Sequence, residues 1–132
     1  MDLLITAKNF VCPSLFMADE LGKKGGKTWV YQFNRVRDDK LAKKYGAFHG
    51  AELPYVFDTH DEWLPTNEKD RELTREIQSY WLSFAKTGNP NNGDAVTWPE
   101  YDSYNDPTLV LDDEIYQRNH ESSEICKIMD LF

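Results

Sequence analysis

Cysteine is scarce in this sequence, and long apolar runs are missing. Only Cys12 and Cys126 occur, near opposite ends of the 132 residues, without the close paired spacing of a structural zinc site. No apolar stretch approaches the roughly 20 residues that a bilayer-spanning helix needs, so the sequence offers no membrane span. Positive charge is also short: 15 Lys and Arg face 23 Asp and Glu, a net charge of -8. That balance argues against nucleic acid or an anionic membrane surface as partner. The opening MDLLITAKNF is too short and too polar for a signal peptide, and no small-residue cleavage site follows it. Internal repeats and low-complexity segments are absent as well.

What remains is rich in large side chains. Apolar residues make up 40% and aromatics 14%, which favours an ordered, packed chain over a disordered one. Pro13 suits the first turn of a helix, with Leu15, Phe16, Ala18 and Leu21 on its inner face and Gly25-Gly26 as its stop. TWVYQF, residues 28–33, reads as a strand buried on at least one side by Trp29, Tyr31 and Phe33. RVRDDKLAKK reads as a solvated loop. A strong helix is expected over 68–86, with Leu73, Ile77, Tyr80, Trp81 and Phe84 on one face. Thr66 or Asn67 caps its start and Gly88 ends it. WPEYD is an aromatic-anchored turn and PTLVLDDE a short strand. SSEICKIMDLF reads as a closing helix with Ile125, Ile128 and Met129 inward. The pattern is α/β with one good central strand, TWVYQF, whose apolar face lacks partners within the chain. It reads as part of a domain.

The segment YGAFHGAELPYVF, residues 45–57, sets His49 between Gly46 and Gly50. Glycines there let the backbone turn sharply and project a ring, and a neutral imidazole near pH 7 can take and return a proton. Glu52 is near enough in sequence to orient or tune it. A nucleophilic triad needs more: a nucleophile, a carboxylate behind the histidine, and oxyanion donors. There is no G-x-S-x-G and no HGG-type loop. Ser14, Ser79, Ser83, Ser103, Ser122 and Ser123 all sit in helix or turn contexts without flanking glycines. His60 and His120 lack glycine flanks and read as surface residues among charges. The acidic run 112–114 reads as a solvated turn, and the aromatic face around Tyr80 as core. The cysteines alone could be two buried thiols or a disulfide.

In α/β-hydrolases the triad order is serine, acid, histidine, with the histidine in a loop after the last main strand. GAFHGAELPYVF resembles the catalytic-histidine motif of the type-B carboxylesterases, the cholinesterase-like family. The resemblance continues through YWLSFAKTGNPN and WPEY and covers nearly all of the chain. It implies the C-terminal portion of a single α/β-hydrolase domain, residues 1–132: the last main strand, the catalytic-histidine loop, the following helices and a short extra strand, with an incomplete sheet. His49 would be general base and then general acid in serine-esterase hydrolysis of carboxylic esters. Gly50 would shape its turn and Glu52 support it from behind, while the serine, the triad acid and the oxyanion loop have no counterparts here. The expected partners are a small ester substrate and the missing N-terminal portion, with neither cofactor nor metal. A non-catalytic cholinesterase-like adhesion or interaction module is the alternative. VCPSLFMA resembles the cholinesterase segment bearing a disulfide cysteine, which implies a Cys12–Cys126 bridge, although Met129 stands where those relatives carry an aromatic. A bridge implies an oxidising compartment, hence an extracellular, secreted or periplasmic parent enzyme.

Overall fold

Residues 3–23 are helical throughout. The computed structural model describes residues 3–60, 64–119 and 121–129. Helix α1 (Leu3–Thr6) runs through a five-residue π-helical stretch, Ala7–Val11, into α2 (Cys12–Lys23). Pro13 falls in the first turn of α2, where its missing N–H removes no helical bond. Gly25, at φ +80°, closes the helix: its N–H donates to the Gly22 carbonyl and that of Gly26 to Leu21. This is a Schellman end, which needs a left-handed residue. Leu15 and Ala18 are buried as expected, but Phe16 and Leu21 are exposed. Helical periodicity aligns apolar residues along one stripe; how wide a stripe is covered depends on what lies against it.

Strands β1 (Tyr31–Phe33), β2 (Thr108–Leu111) and β3 (Tyr116–Arg118) pair in that order. The Leu109 N–H donates to the Val30 carbonyl and the Asn34 N–H to the Leu111 carbonyl. Both partners advance together, as in a parallel pair. The expected central strand, TWVYQF, is therefore corrected: only its second half is strand, it lies at the edge, and Tyr31 and Gln32 are exposed. The central place belongs to β2, whose four residues are all buried. Its TLVL sequence, apolar after Thr108, fits a strand covered on both faces. β3 was not expected.

The chain divides into two compact units. The first comprises residues 1–32, 98–109 and 117–132. Its core gathers Ala7, Cys12, Leu15, Ala18, Tyr101 and Cys126, with Val11, Val30, Ile125 and Met129 packed against it. Cys12 and Cys126 are joined in a disulfide with Cα atoms 5.6 Å apart, bringing α2 to α6 (Glu121–Ile128). Ile128, expected inward, is exposed. Trp98 is buried and donates from Nε1 to the Val30 carbonyl, so the WPEYD turn is anchored by aromatics as read.

The second unit comprises residues 33–97 and 110–116. It holds α3 (Lys40–Tyr45), α4 (Leu53–Phe57) and α5 (Glu68–Thr87). Asn67 and Asp70 form a reciprocal capping box at the start of α5, and Gly88 ends it at φ +74°, which supplies the orphan donors of the first turn with acceptors. Leu73, Ile77 and Tyr80 are buried, whereas Phe84 at the far end of that face is exposed. No helix among the described residues is long and apolar enough to cross a membrane.

Candidate functional site

The histidine turn is built by two helix ends. Asp39 accepts the Ala42 N–H at 2.9 Å and so caps α3; Gly46, at φ +67°, ends it with its N–H on the Ala42 carbonyl. The chain then reverses through Phe48, His49 and Gly50. The Ala51 N–H donates to the Phe48 carbonyl and the Leu53 N–H to that of Gly50. Gly50 has φ +89°, a conformation that costs an L-residue strain. Both glycines flanking the histidine thus take the left-handed backbone their sequence suggested, and His49 is exposed on the turn between them.

Glu52 begins α4, where its carbonyl accepts the N–H groups of Tyr55 and Val56 at 2.9 and 3.1 Å. Its carboxylate makes no capping bond to that helix. Pro54 occupies the first turn of α4 and Asp58 closes it in the left-handed conformation. A cavity of 540 Å³ lies against this region, lined by Tyr45, Phe48, Leu53, Pro54 and Tyr55 among others, with Arg37 also present. Gly46 and Gly50 line it on either side of the histidine; His49 itself does not.

Behind α4 lies a cluster that sequence reading missed. Asp70 is 1% exposed, and its Oδ1 accepts from Tyr55 Oη at 2.7 Å and from Arg35 Nε at 2.8 Å. Its Oδ2 takes the Asn67 N–H at 2.9 Å. Burial alone would raise the Asp70 pKa, but the Asn67, Arg35 and Tyr55 hydrogen bonds outweigh it and hold the carboxylate below its ordinary range. Burial and the bond to Asp70 together raise the Tyr55 phenol. The segment expected to be a solvated loop is therefore corrected. Arg35 and Arg37 are buried, and residues 40–45 are helical.

His60 also needs correction, since it is half-buried rather than a surface residue. Arg37 Nη2 lies 3.1 Å from its Nδ1, and Thr74 Oγ1 lies 2.6 Å from its Nε2. A guanidinium only donates, so Nδ1 accepts and the proton sits on Nε2. The Thr74 hydroxyl in turn donates to the Asp70 carbonyl at 2.7 Å. Burial, then the nearby Arg37 charge, lowers the His60 pKa. His120 lies outside the described residues. The structure thus brings His49, Gly50 and Glu52 into one turn, while Cys12 and Cys126 belong to the other unit. The one sequence signal for the missed cluster was the N-x-x-D spacing of Asn67 and Asp70, a capping signature.

Comparison with known proteins agrees along the chain. The Carboxylesterase family matches residues 1–129. The para-nitrobenzyl esterase of Bacillus subtilis (strain 168) is 39% identical over 101 residues, covering 73% of this chain and 20% of that protein. The acetylcholinesterase of Gallus gallus is 36% identical over 106 residues, 76% of this chain and 14% of that protein. Among solved structures, a PNB esterase superposes with a TM-score of 0.68 at 37% identity, over 81% of this chain and 21% of that one. A Geobacillus stearothermophilus carboxylesterase reaches 0.77 over 93% of this chain and 26% of that one, at 24% identity. The chain spans about a fifth of the length of these relatives.

Proposed function

The chain belongs to the type-B carboxylesterase family, and from that premise we propose that it is the C-terminal, histidine-bearing portion of an α/β-hydrolase domain that cleaves carboxylic esters. The observation that carries this reading is the His49 turn, exposed between two glycines at positive φ inside a stretch that the family matches throughout. His49 takes the proton from a serine hydroxyl as that oxygen attacks the ester carbonyl. It then returns the proton to the departing alcohol, leaving an acyl-enzyme for water to hydrolyse. The serine and the carboxylate that orients His49 come from the N-terminal portion of the same fold. Glu52 supports the ring without exchanging its proton. The disulfide fits a parent enzyme in an oxidising compartment, outside the cytosol.

The test uses p-nitrophenyl acetate. The 132-residue chain alone is expected to show no turnover above free imidazole, because a base without nucleophile and oxyanion donors has nothing to activate. Joined to the upstream part of a para-nitrobenzyl esterase that carries the serine and acid, it should give saturable turnover. Saturable hydrolysis by the chain alone, abolished by His49→Ala, would overturn the reading.

A further inference from the structure

The His49 turn is closed by short-range backbone hydrogen bonds, from the Ala51 N–H to Phe48 and from the Leu53 N–H to Gly50. Gly50 sits at its hinge, and α4, which follows, is only five residues long. A helix of that length has no stability of its own in water. Something outside must fix where α4 starts, and therefore where the turn points.

Tyr55 is the one residue of α4 that is buried, and it is gripped from every side described. Its ring meets Phe33 at 5.0 Å between centroids and His60 edge-on at 5.1 Å. The Arg37 guanidinium stands 4.7 Å from its centroid. Its hydroxyl donates to Asp70 on α5, and Asp70 is itself fixed by Arg35 and by the Asn67 cap. Helix α5, at 20 residues the longest of this unit, holds Asp70, the point at which the Tyr55 hydroxyl ties α4 to it.

Resting on the reading of His49 as the base, we infer that Asp70 is a positioning residue that sets the direction of the histidine turn through the Tyr55 hydroxyl. The hydrogen bond runs from Tyr55 on α4 to Asp70 on α5, and the Glu52 carbonyl, three residues after His49, accepts the first amides of α4 from Tyr55 and Val56. Loss of the hydroxyl frees α4 to shift and the ring to leave its line of proton transfer, while the Tyr55 ring packing remains. Geometry errors of about 1 Å can cost up to about 10²-fold in rate.

The experiment uses the joined enzyme described above. Tyr55→Phe should lower kcat roughly 3- to 30-fold with KM changed less than about twofold, the split expected when only the transition state loses support. Asp70→Ala, which removes the acceptor altogether, should lower kcat of the folded enzyme at least as much, and adding Tyr55→Phe to it should lower kcat no further, because both changes break one link. If Tyr55→Phe leaves kcat unchanged in an enzyme that His49→Gln disables, the positioning role is wrong and the base assignment stands. If His49→Gln itself keeps kcat, the base assignment falls and takes this inference with it. Hydrogen exchange on the 132-residue chain reads the same link without catalysis. Tyr55→Phe should speed exchange at the Ala51 and Leu53 amides while leaving Ile77 and Tyr80 in α5 unchanged, and equal rates in both proteins would overturn the inference.

Discussion

His49 and His60 belong to the same compact unit and live in opposite surroundings. His49 is exposed on a turn flanked by left-handed glycines. His60 is half-buried, with one nitrogen facing an arginine and the other a threonine. In the proposed function the first exchanges a proton with groups from the N-terminal portion. The second is locked as a neutral link between the segment after α4 and helix α5. The two histidines thus differ in exposure and surroundings, which residue type alone does not separate.

The comparison sharpens first at the cluster behind His60. Asp70→Ala should cost about 3–5 kcal/mol of unfolding free energy, because the buried Arg35 Nε and the Tyr55 hydroxyl lose their acceptor, even though Asp38 and Asp113 still pair with the guanidinium; urea denaturation of the joined enzyme would read it. Replacing Cys12 and Cys126 by alanine should cost about 2–4 kcal/mol, through the denatured state rather than the histidine turn. The same titration should show that loss, with kcat unaffected in the remaining folded enzyme. Gly50→Val should cost about 1–2 kcal/mol, since the strain is backbone alone: a Cβ there meets only Leu53 Cδ1, at an ordinary 3.8 Å. Its effect on kcat should exceed its effect on stability.

The smallest expected effect is a pH dependence. His60 has its pKa lowered from the ordinary 6.5 by burial and by Arg37, with Asp58, Arg71 and Asp70 as the other charges acting on it, so the unfolded chain takes up the proton more readily than the folded one. Its contribution to stability is whole above pH 6.5 and declines as pH falls below that value. Chemical denaturation across this range should show the decline in the wild type and a flatter profile in His60→Gln. Below pH 3.8 the lowered pKa of Asp70 adds a further loss, because its carboxylate must be protonated against its partners.

Local chemistry was legible and coverage was not. Asn67 and Gly88 marked the ends of α5, Gly46 and Gly50 announced their backbone, and the apolar run 109–111 announced a strand. Those features depend on a residue and its near neighbours. Arg35 and Arg37 read as solvated because their partners are far along the chain: Asp70 is 35 residues beyond Arg35. Phe16, Leu21 and Ile128 read as inward because periodicity shows which residues share a face, whereas burial requires a surface to meet it. The edge position of β1 escaped for the same reason, since strand order is a matter of pairing partners. At the candidate site the sequence pointed to the turn and its glycines, while the clamp of Tyr55 on Asp70 depends on a fold-level encounter of α4 with α5.

The most direct test sets the two histidines side by side in the joined enzyme. His49→Gln should lower kcat by about 10²–10⁴-fold, the usual worth of a general base, with KM and the urea midpoint nearly unchanged. His60→Gln should lower the urea midpoint while leaving kcat of the folded fraction within about threefold, because a residue that links helices is felt in stability before chemistry. A His49→Gln enzyme that keeps its kcat, or a His60→Gln enzyme that loses turnover while keeping its stability, would contradict the account.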